Sequence, residues 1–254
     1  MTPELERLLG AMSLAQRGNG SGAVLEAYAA FVRSCGLDHF VLGLATGDPV
    51  RGQAVEIQTS LPDAWMEEYA ALDHVSHDYV VQQMADLGPD RPLLTTAWGQ
   101  ATADQPEVSA RTGQVLRGVA DAGLGDALSF MGQGVAGGDQ TWFAATFGCR
   151  RTRREAVLER VEARRNELLI ASFAMFPYLR PALERRHAGI DEALTAREID
   201  VLARFSQGLR PDRIAHRMGI SKRTVDMHSV NARRKLKART LAEATAKAVR
   251  FDLI

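Results

Sequence analysis

Trp65, Tyr69 and Asp78, with Trp98 further along, bring an indole N–H, a phenol and a carboxylate into one stretch of chain. Trp65 and Tyr69 are four residues apart and share a face of any helix that carries them. Converging in an apolar cavity, these groups can orient a small amide or lactone. Burying a carboxylate is costly unless it accepts hydrogen bonds, and a ligand N–H is a fitting donor. Tryptophan and tyrosine at this spacing also occur in ordinary helix cores, so spacing alone leaves both readings open.

Asp73, His74, His77 and Asp78 form a D-H-x-x-H-D cluster of types that bind metals. Neighbouring His and Asp more often make a polar surface, and no further ligand cluster is visible in the sequence, so no metal is expected. Nucleophile elbows, phosphate loops and zinc-hydrolase spacings are absent from the sequence. No catalytic residue and no cofactor is therefore assigned, and the chain is expected not to be an enzyme.

A second chemistry lies after Ser221. Ser221, Lys222, Arg223, Thr224, Asp226, Met227, Ser229, Val230, Arg233 and Arg234 start a helix or lie around one side of it. Val225, His228, Ala232 and Leu236 recur at helical spacing on the other. Arg and Lys can bind phosphates, and Arg or Asn can read base edges. His228, on the apolar side, is expected to be a core histidine with a satisfied hydrogen bond. A basic helix alone usually means a solvated face, so the surrounding elements have to decide.

Those elements are legible from their end signals. Thr195 with Glu198 gives a capping box, with Leu194 and Ile199 placed as a hydrophobic staple. Pro211 suits a first helical position. Gly219 supplies a turn, Ser221 caps the next helix with Ile220 and Val225 as its staple, and Thr240 with Glu243 repeats the box. These signals predict an all-α domain of four helices over residues 193–254, with a helix-turn-helix whose second helix enters the major groove.

The run from Leu194 to Ile254 resembles the C-terminal domain of LuxR-type transcription regulators. It carries L-T-x-R-E-x-x-V-L, then G, I-A, G-I-S-x-R-T-V-x-x-H and K-L. Arg210 replaces a small polar cap, and Ala232 replaces a larger aliphatic. The resemblance implies a homodimer on double-stranded DNA, with RNA polymerase as a further partner. It places Leu241, Ala244, Ala248 and Val249 near the subunit interface.

Residues 1–180 mix helices and strands. Residues 22–35 read as a helix, and His39–Ala45 and Ala54–Thr59 as strands around a turn at Gly47–Gly52. Helical patches follow near Asp63–Leu72 and Asp78–Met84, then a loop over Gly88–Thr96 and a helix over Glu107–Ala122. Ala127–Gly132 and Thr141–Cys149 read as a hairpin around GVAGGDQ. Arg153–Phe176 reads as one long helix with a stripe through Val157, Val161, Leu168 and Leu169. This predicts an α+β chain: an N-terminal α/β/α sandwich with an antiparallel sheet, a linker over 181–192, and the four-helix module.

By the same resemblance, residues 1–180 correspond to an autoinducer-binding domain, with W-x(3)-Y and an Asp nine residues after the Tyr. The resemblance implies quorum sensing through an acyl-homoserine lactone. Trp65 then donates to the lactone carbonyl, Asp78 accepts from the amide N–H, and Tyr69 and Trp98 pack around ring and chain. Thr146 is a further polar contact. Four features depart from the family's pattern: Leu61 replaces an aromatic, Tyr79 follows Asp78 where proline is usual, the Asp78–Trp98 interval is longer, and Ala127 replaces a glycine. A polar aromatic at position 61 would add one hydrogen bond to an acyl carbonyl, worth on the order of 1 kcal/mol. These departures keep open an alternative: a regulator working without ligand, or with a non-lactone signal.

Charge supports this division. The net charge is zero, yet residues 181–254 hold 16 basic and 9 acidic residues, against 15 and 22 in residues 1–180. Nucleic-acid affinity is thereby placed in the smaller part. A phosphoacceptor receiver needs a late lysine and an early acidic pair, and residues 1–180 contain no lysine. Two distant cysteines, Cys35 and Cys149, suggest no disulfide framework, so a reducing cytoplasm is expected. The opening segment reads as an amphipathic helix with Leu5, Leu8, Leu9 and Met12 on one side, rather than a signal peptide. No stretch reaches the ~18 apolar residues of a membrane helix.

Overall fold

The computed structural model describes residues 2–15, 21–46, 54–84, 87–88, 91–136, 139–150, 154–190, 192–251 and 253–254. They divide into two units, Met1–Arg180 and Pro181–Ile254.

The first unit is built on one antiparallel sheet. Its strands are β1 (His39–Thr46), β2 (Ala54–Thr59), β3 (Leu93–Gly99), β4 (Asp126–Ala136) and β5 (Asp139–Cys149), in the order β2-β1-β5-β4-β3. Alternation along each strand sends successive side chains to opposite faces. Val41, Gly43 and Ala45 pair with Thr146, Ala144 and Trp142 on one face. Phe40 meets Tyr28 edge-on at 4.9 Å on the other face, and Phe143 meets Phe173 at 4.7 Å.

Helices cover both faces. α1 (Pro3–Ala15), α2 (Ser21–Ser34), α7 (Arg154–Ala163) and α8 (Arg165–His187) form one layer. α1 buries Leu5, Leu8 and Met12, as its amphipathic spacing requires, while Leu9 is half-buried. α3 (Asp63–Ala71), α4 (Tyr79–Gln83), the short α5 (Gln100–Ala103) and α6 (Ala110–Asp121) form the other, with a 3-10 turn at His74–His77. The α/β/α sandwich is as expected.

Three local expectations change. The loop expected over Gly88–Thr96 gives way to edge strand β3, whose register puts Trp98 opposite Ala127 and Leu94 opposite Met131. Pro92 just before it and the polar pair Thr95–Thr96 hide this strand from a periodicity reading. The long helix expected from Arg153 breaks at Arg164, whose N–H bonds Val161 O instead of continuing the helical ladder. Its stripe still holds, with Val157, Val161 and Leu168 fully buried. Finally, the expected linker is helical to His187, because α8 continues through Pro177 and Pro181. Gly189, at φ 62°, then ends it, with Ile190 N bonding Arg185 O. The turn expected at Gly47–Gly52 lies outside the described residues, and so do Gly137 and Gly138 of the turn expected over GVAGGDQ. The rest of that stretch is strand, with β4 running to Ala136 and β5 starting at Asp139.

The second unit is all-α, with α9 (Ala196–Ser206), α10 (Pro211–Met218), α11 (Lys222–Lys235) and α12 (Leu241–Arg250). Thr195 and Glu198 make the capping box. Gly219, at φ 64°, closes α10, and Ser221 Oγ accepts from Thr224 N at 3.1 Å to open α11. In the second box Thr240 caps Glu243 N, but Glu243 reaches back to Arg239 N at 2.8 Å. Val225, Ala232 and Leu236 are fully buried, whereas His228 is only half-buried and not an enclosed core histidine. Of the residues expected near a subunit interface, Ala244 and Ala248 are buried in the module's own core and Leu241 packs against it. Val249 is 56% exposed.

Candidate functional site

A cavity of about 90 Å³ lies between the sheet and α3, α4 and α6. Trp65, Tyr69, Asp78, Trp98, Leu61 and Thr146 all line it. Ala127 belongs to the same apolar cluster without facing the cavity. Its floor carries Gly43 beside Ala144, two small residues that leave room above the sheet.

Asp78 occupies a position fixed by the backbone. It is the N-cap of α4, its Oδ1 accepting from Val80 N at 2.8 Å and Val81 N at 3.2 Å. Tyr69 donates its O–H to Oδ2 at 2.9 Å. Burial pushes the Asp78 carboxyl above the usual aspartate range despite these donors. Burial, together with the neighbouring Asp78 charge, also drives the Tyr69 phenol well upward.

Trp65 sits in an aromatic group. His74 stacks on it at 5.6 Å and 28°, and Tyr69 meets it at 6.2 Å and 64°. Gly118 of α6 lies against the far edge of the indole: a Cβ there would come within 2.5 Å of Trp65 Cη2 and Cζ3. The Trp65 indole N–H meets no acceptor among the described residues.

Trp98 is held differently. Its Nε1–H donates to Ser129 Oγ at 2.8 Å, and Ser129 bonds Thr146 Oγ1 at 2.7 Å. The three residues lie on β3, β4 and β5 and tie the strands beneath the cavity. Sequence reasoning missed Ser129 and Gly118, and it read His74 as part of the D-H-x-x-H-D cluster rather than as a stacking partner of Trp65. A glycine inside a helical pattern is a packing signal, but α6 carries two, Gly113 and Gly118, so the signal does not single out Gly118.

The D-H-x-x-H-D cluster does not converge. His74 turns into the aromatic group, while His77 Nε2 faces Arg111 at 3.1 Å on the surface. Among the described residues, no group of three or more His, Cys, Asp or Glu is placed to hold a metal.

On α11 the exposed face carries Lys222, Arg223, Asp226, Met227, Val230 and Arg234. Thr224, Ser229 and Arg233 flank it half-buried, and Ser221 caps it. Lys222 pairs with Asp212 at 3.3 Å, and Arg234 forms a two-point pair with Glu192 at 2.7 and 2.9 Å. Both pairs are solvent-exposed, so phosphates can compete for these cations. Lys235 turns inward instead, bonding the buried Glu198 at 2.9 Å. Burial pushes the Glu198 carboxyl up, but hydrogen bonds from Lys235 and Thr195 outweigh it and hold it below the usual range.

A cavity-bearing sandwich followed by a helix-turn-helix defines a sensor joined to a DNA-binding module. Residues 21–177 match the autoinducer binding domain family, and residues 192–248 match the bacterial regulatory proteins of the luxR family. The chain belongs to the LuxR family of bacterial transcription regulators, and such regulators are not enzymes. It is 30% identical over 234 residues to the transcriptional activator protein SolR of Ralstonia nicotianae, covering 89% of each chain. It is 38% identical over 95 residues to the nitrate/nitrite response regulator protein NarP of Escherichia coli, covering 36% of this chain and 43% of that protein. Among solved structures, the N-acylhomoserine lactone dependent LuxR family transcription factor CepR2 of Burkholderia cenocepacia shares the fold. The TM-score is 0.53 at 20% identity, covering 71% of this chain and 96% of that one. Among the described residues, no helix is long and apolar enough to cross a membrane.

Proposed function

We propose that residues 1–180 bind an N-acyl-homoserine lactone, and that the chain works as a cytoplasmic homodimer whose signal sets the spacing of two helix-turn-helix modules on a pseudo-palindromic site. RNA polymerase is the partner that would read out promoter occupancy. The observation carrying the reading is the Asp78 carboxylate in the wall of a largely apolar cavity that the Trp65 indole also lines. Asp78 accepts the ligand amide N–H, Trp65 donates to the lactone carbonyl, and Tyr69 and Trp98 enclose ring and chain. Leu61 is buried and offers no hydrogen bond, so the acyl carbonyl turns to Thr146. Ser129 Oγ already accepts from Trp98 Nε1, and in this reading its hydroxyl donates to Thr146, which leaves the Thr146 hydrogen for that carbonyl.

The test is a thermal-shift series on the full chain with short-, medium- and long-chain acyl-homoserine lactones. A ligand that binds only the folded state stabilises it by about 2.7 kcal/mol at a hundred times its Kd. Trp65→Ala and Asp78→Ala are expected to abolish the shift. If no lactone shifts the melting temperature while DNA binding persists, the lactone reading fails and the ligand-free or non-lactone alternative replaces it.

A further inference from the structure

The exposed face of α11 has an unusual centre for a helix that meets DNA. Arg223, Asp226, Met227 and Val230 stand three and four residues apart and form one continuous patch. Met227 and Val230 are 51% and 50% exposed. Asp226 is exposed and pairs with no cation among the described residues. The cations sit at the two ends: Lys222 and Arg223 at the start, Arg233 and Arg234 at the finish. Phosphates therefore meet charge at the helix ends, and base edges meet carbon and a carboxylate in the middle.

That arrangement selects its partner chemically. An aliphatic side chain in the major groove is complementary to the C5-methyl of thymine, and a carboxylate accepts from the N4 amino group of cytosine. A carboxylate facing phosphates or base acceptors is repelled. We infer that α11 reads its operator mainly through thymine methyl groups, contacted by Met227 and Val230, and through one cytosine amino group contacted by Asp226. The inference rests on α11 being the helix that enters the major groove, and it adds which base groups that helix recognises.

The experiment starts by selecting sites for the full chain from a randomised duplex pool, with and without acyl-homoserine lactones. Each thymine of the enriched site is then replaced singly by deoxyuridine, which keeps the pairing and the backbone but removes the methyl. At one or more thymines in each half-site, binding is expected to weaken about fourfold, the effect of leaving one methyl-sized group unburied. Val230→Ala or Met227→Ala removes that sensitivity, and Asp226→Asn moves the selected base from cytosine towards adenine. An enriched site indifferent to deoxyuridine at every thymine overturns this inference and leaves the DNA-binding reading standing. A pool in which no sequence is enriched overturns both.

Discussion

Tyr69 donates its phenolic O–H to Asp78 Oδ2 across 2.9 Å, and the same carboxylate caps α4 through its other oxygen. One side chain thus fixes a helix start and supplies the polar wall of the cavity. Its elevated carboxyl gives the empty protein a pH signature. Because the folded value lies above the unfolded one, the contribution to stability is full below the ordinary aspartate range, roughly pH 4, and is lost as pH rises to the folded value. Asp78→Asn keeps an oxygen for the cap and removes the titration. A melting-temperature series against pH is expected to show this loss in the parent chain and not in the variant.

Gly118 and Trp65 make the second test. Gly118→Ala is favoured by helix propensity by about 1 kcal/mol, yet its Cβ would overlap the indole. Overpacking costs about 1–3 kcal/mol, so net destabilisation is expected, with a shifted Trp65 fluorescence environment and a weakened lactone response. Unchanged stability together with an unchanged ligand shift would contradict the packing argument.

Ser129→Ala strands the buried Trp98 N–H. The expected cost is about 1–3 kcal/mol in urea denaturation. Ligands lacking the acyl carbonyl should lose less affinity than those possessing it, because Thr146 loses its orienting partner.

In the DNA module, Lys235→Met leaves Glu198 buried beside a hydrocarbon. Breaking a buried pair costs about 3–5 kcal/mol, and Lys235 is partly solvated, so about 3 kcal/mol is expected. The Glu198 carboxyl is held low, so its contribution is present above the ordinary glutamate range and is lost as pH falls through the lowered folded value. The gap between parent and variant should therefore narrow in acid, measured by denaturation of the full chain.

Arg223 is exposed and pairs with no acid among the described residues. Arg223→Ala should weaken DNA binding and lower the slope of log affinity against log salt by about 1, with the lactone-induced melting shift intact. An unchanged salt slope would take Arg223 off the phosphate backbone.

Local signals made the DNA module legible. Thr195 with Glu198, Pro211, Gly219 and Ser221 each act within one helical turn, and the structure uses each where its type requires it. The strands His39–Thr46 and Ala54–Thr59 were legible for a similar reason, since alternation is a local property. β3 was not, because an edge strand with Pro92 before it and two threonines inside it lacks that alternation. The end of α8 was not legible either: the pattern ends the helix at Phe176, just before Pro177, whereas the helix continues through Pro177 and Pro181 to His187.

What the sequence determined by itself was therefore what near neighbours set: the helix starts of the DNA module, the two faces of α11, and the common helix face of Trp65 and Tyr69. Tertiary structure alone decided that Trp98 reaches the same cavity, because its position depends on β3 pairing with β4 and on a hydrogen bond to Ser129, 31 residues away. It alone decided that Gly118 makes room for Trp65, and that Lys235 turns inward to Glu198 while Arg223 stays in solvent. These outcomes follow from distant groups competing for the same volume and the same hydrogen bonds, and no local pattern in the chain encodes that competition.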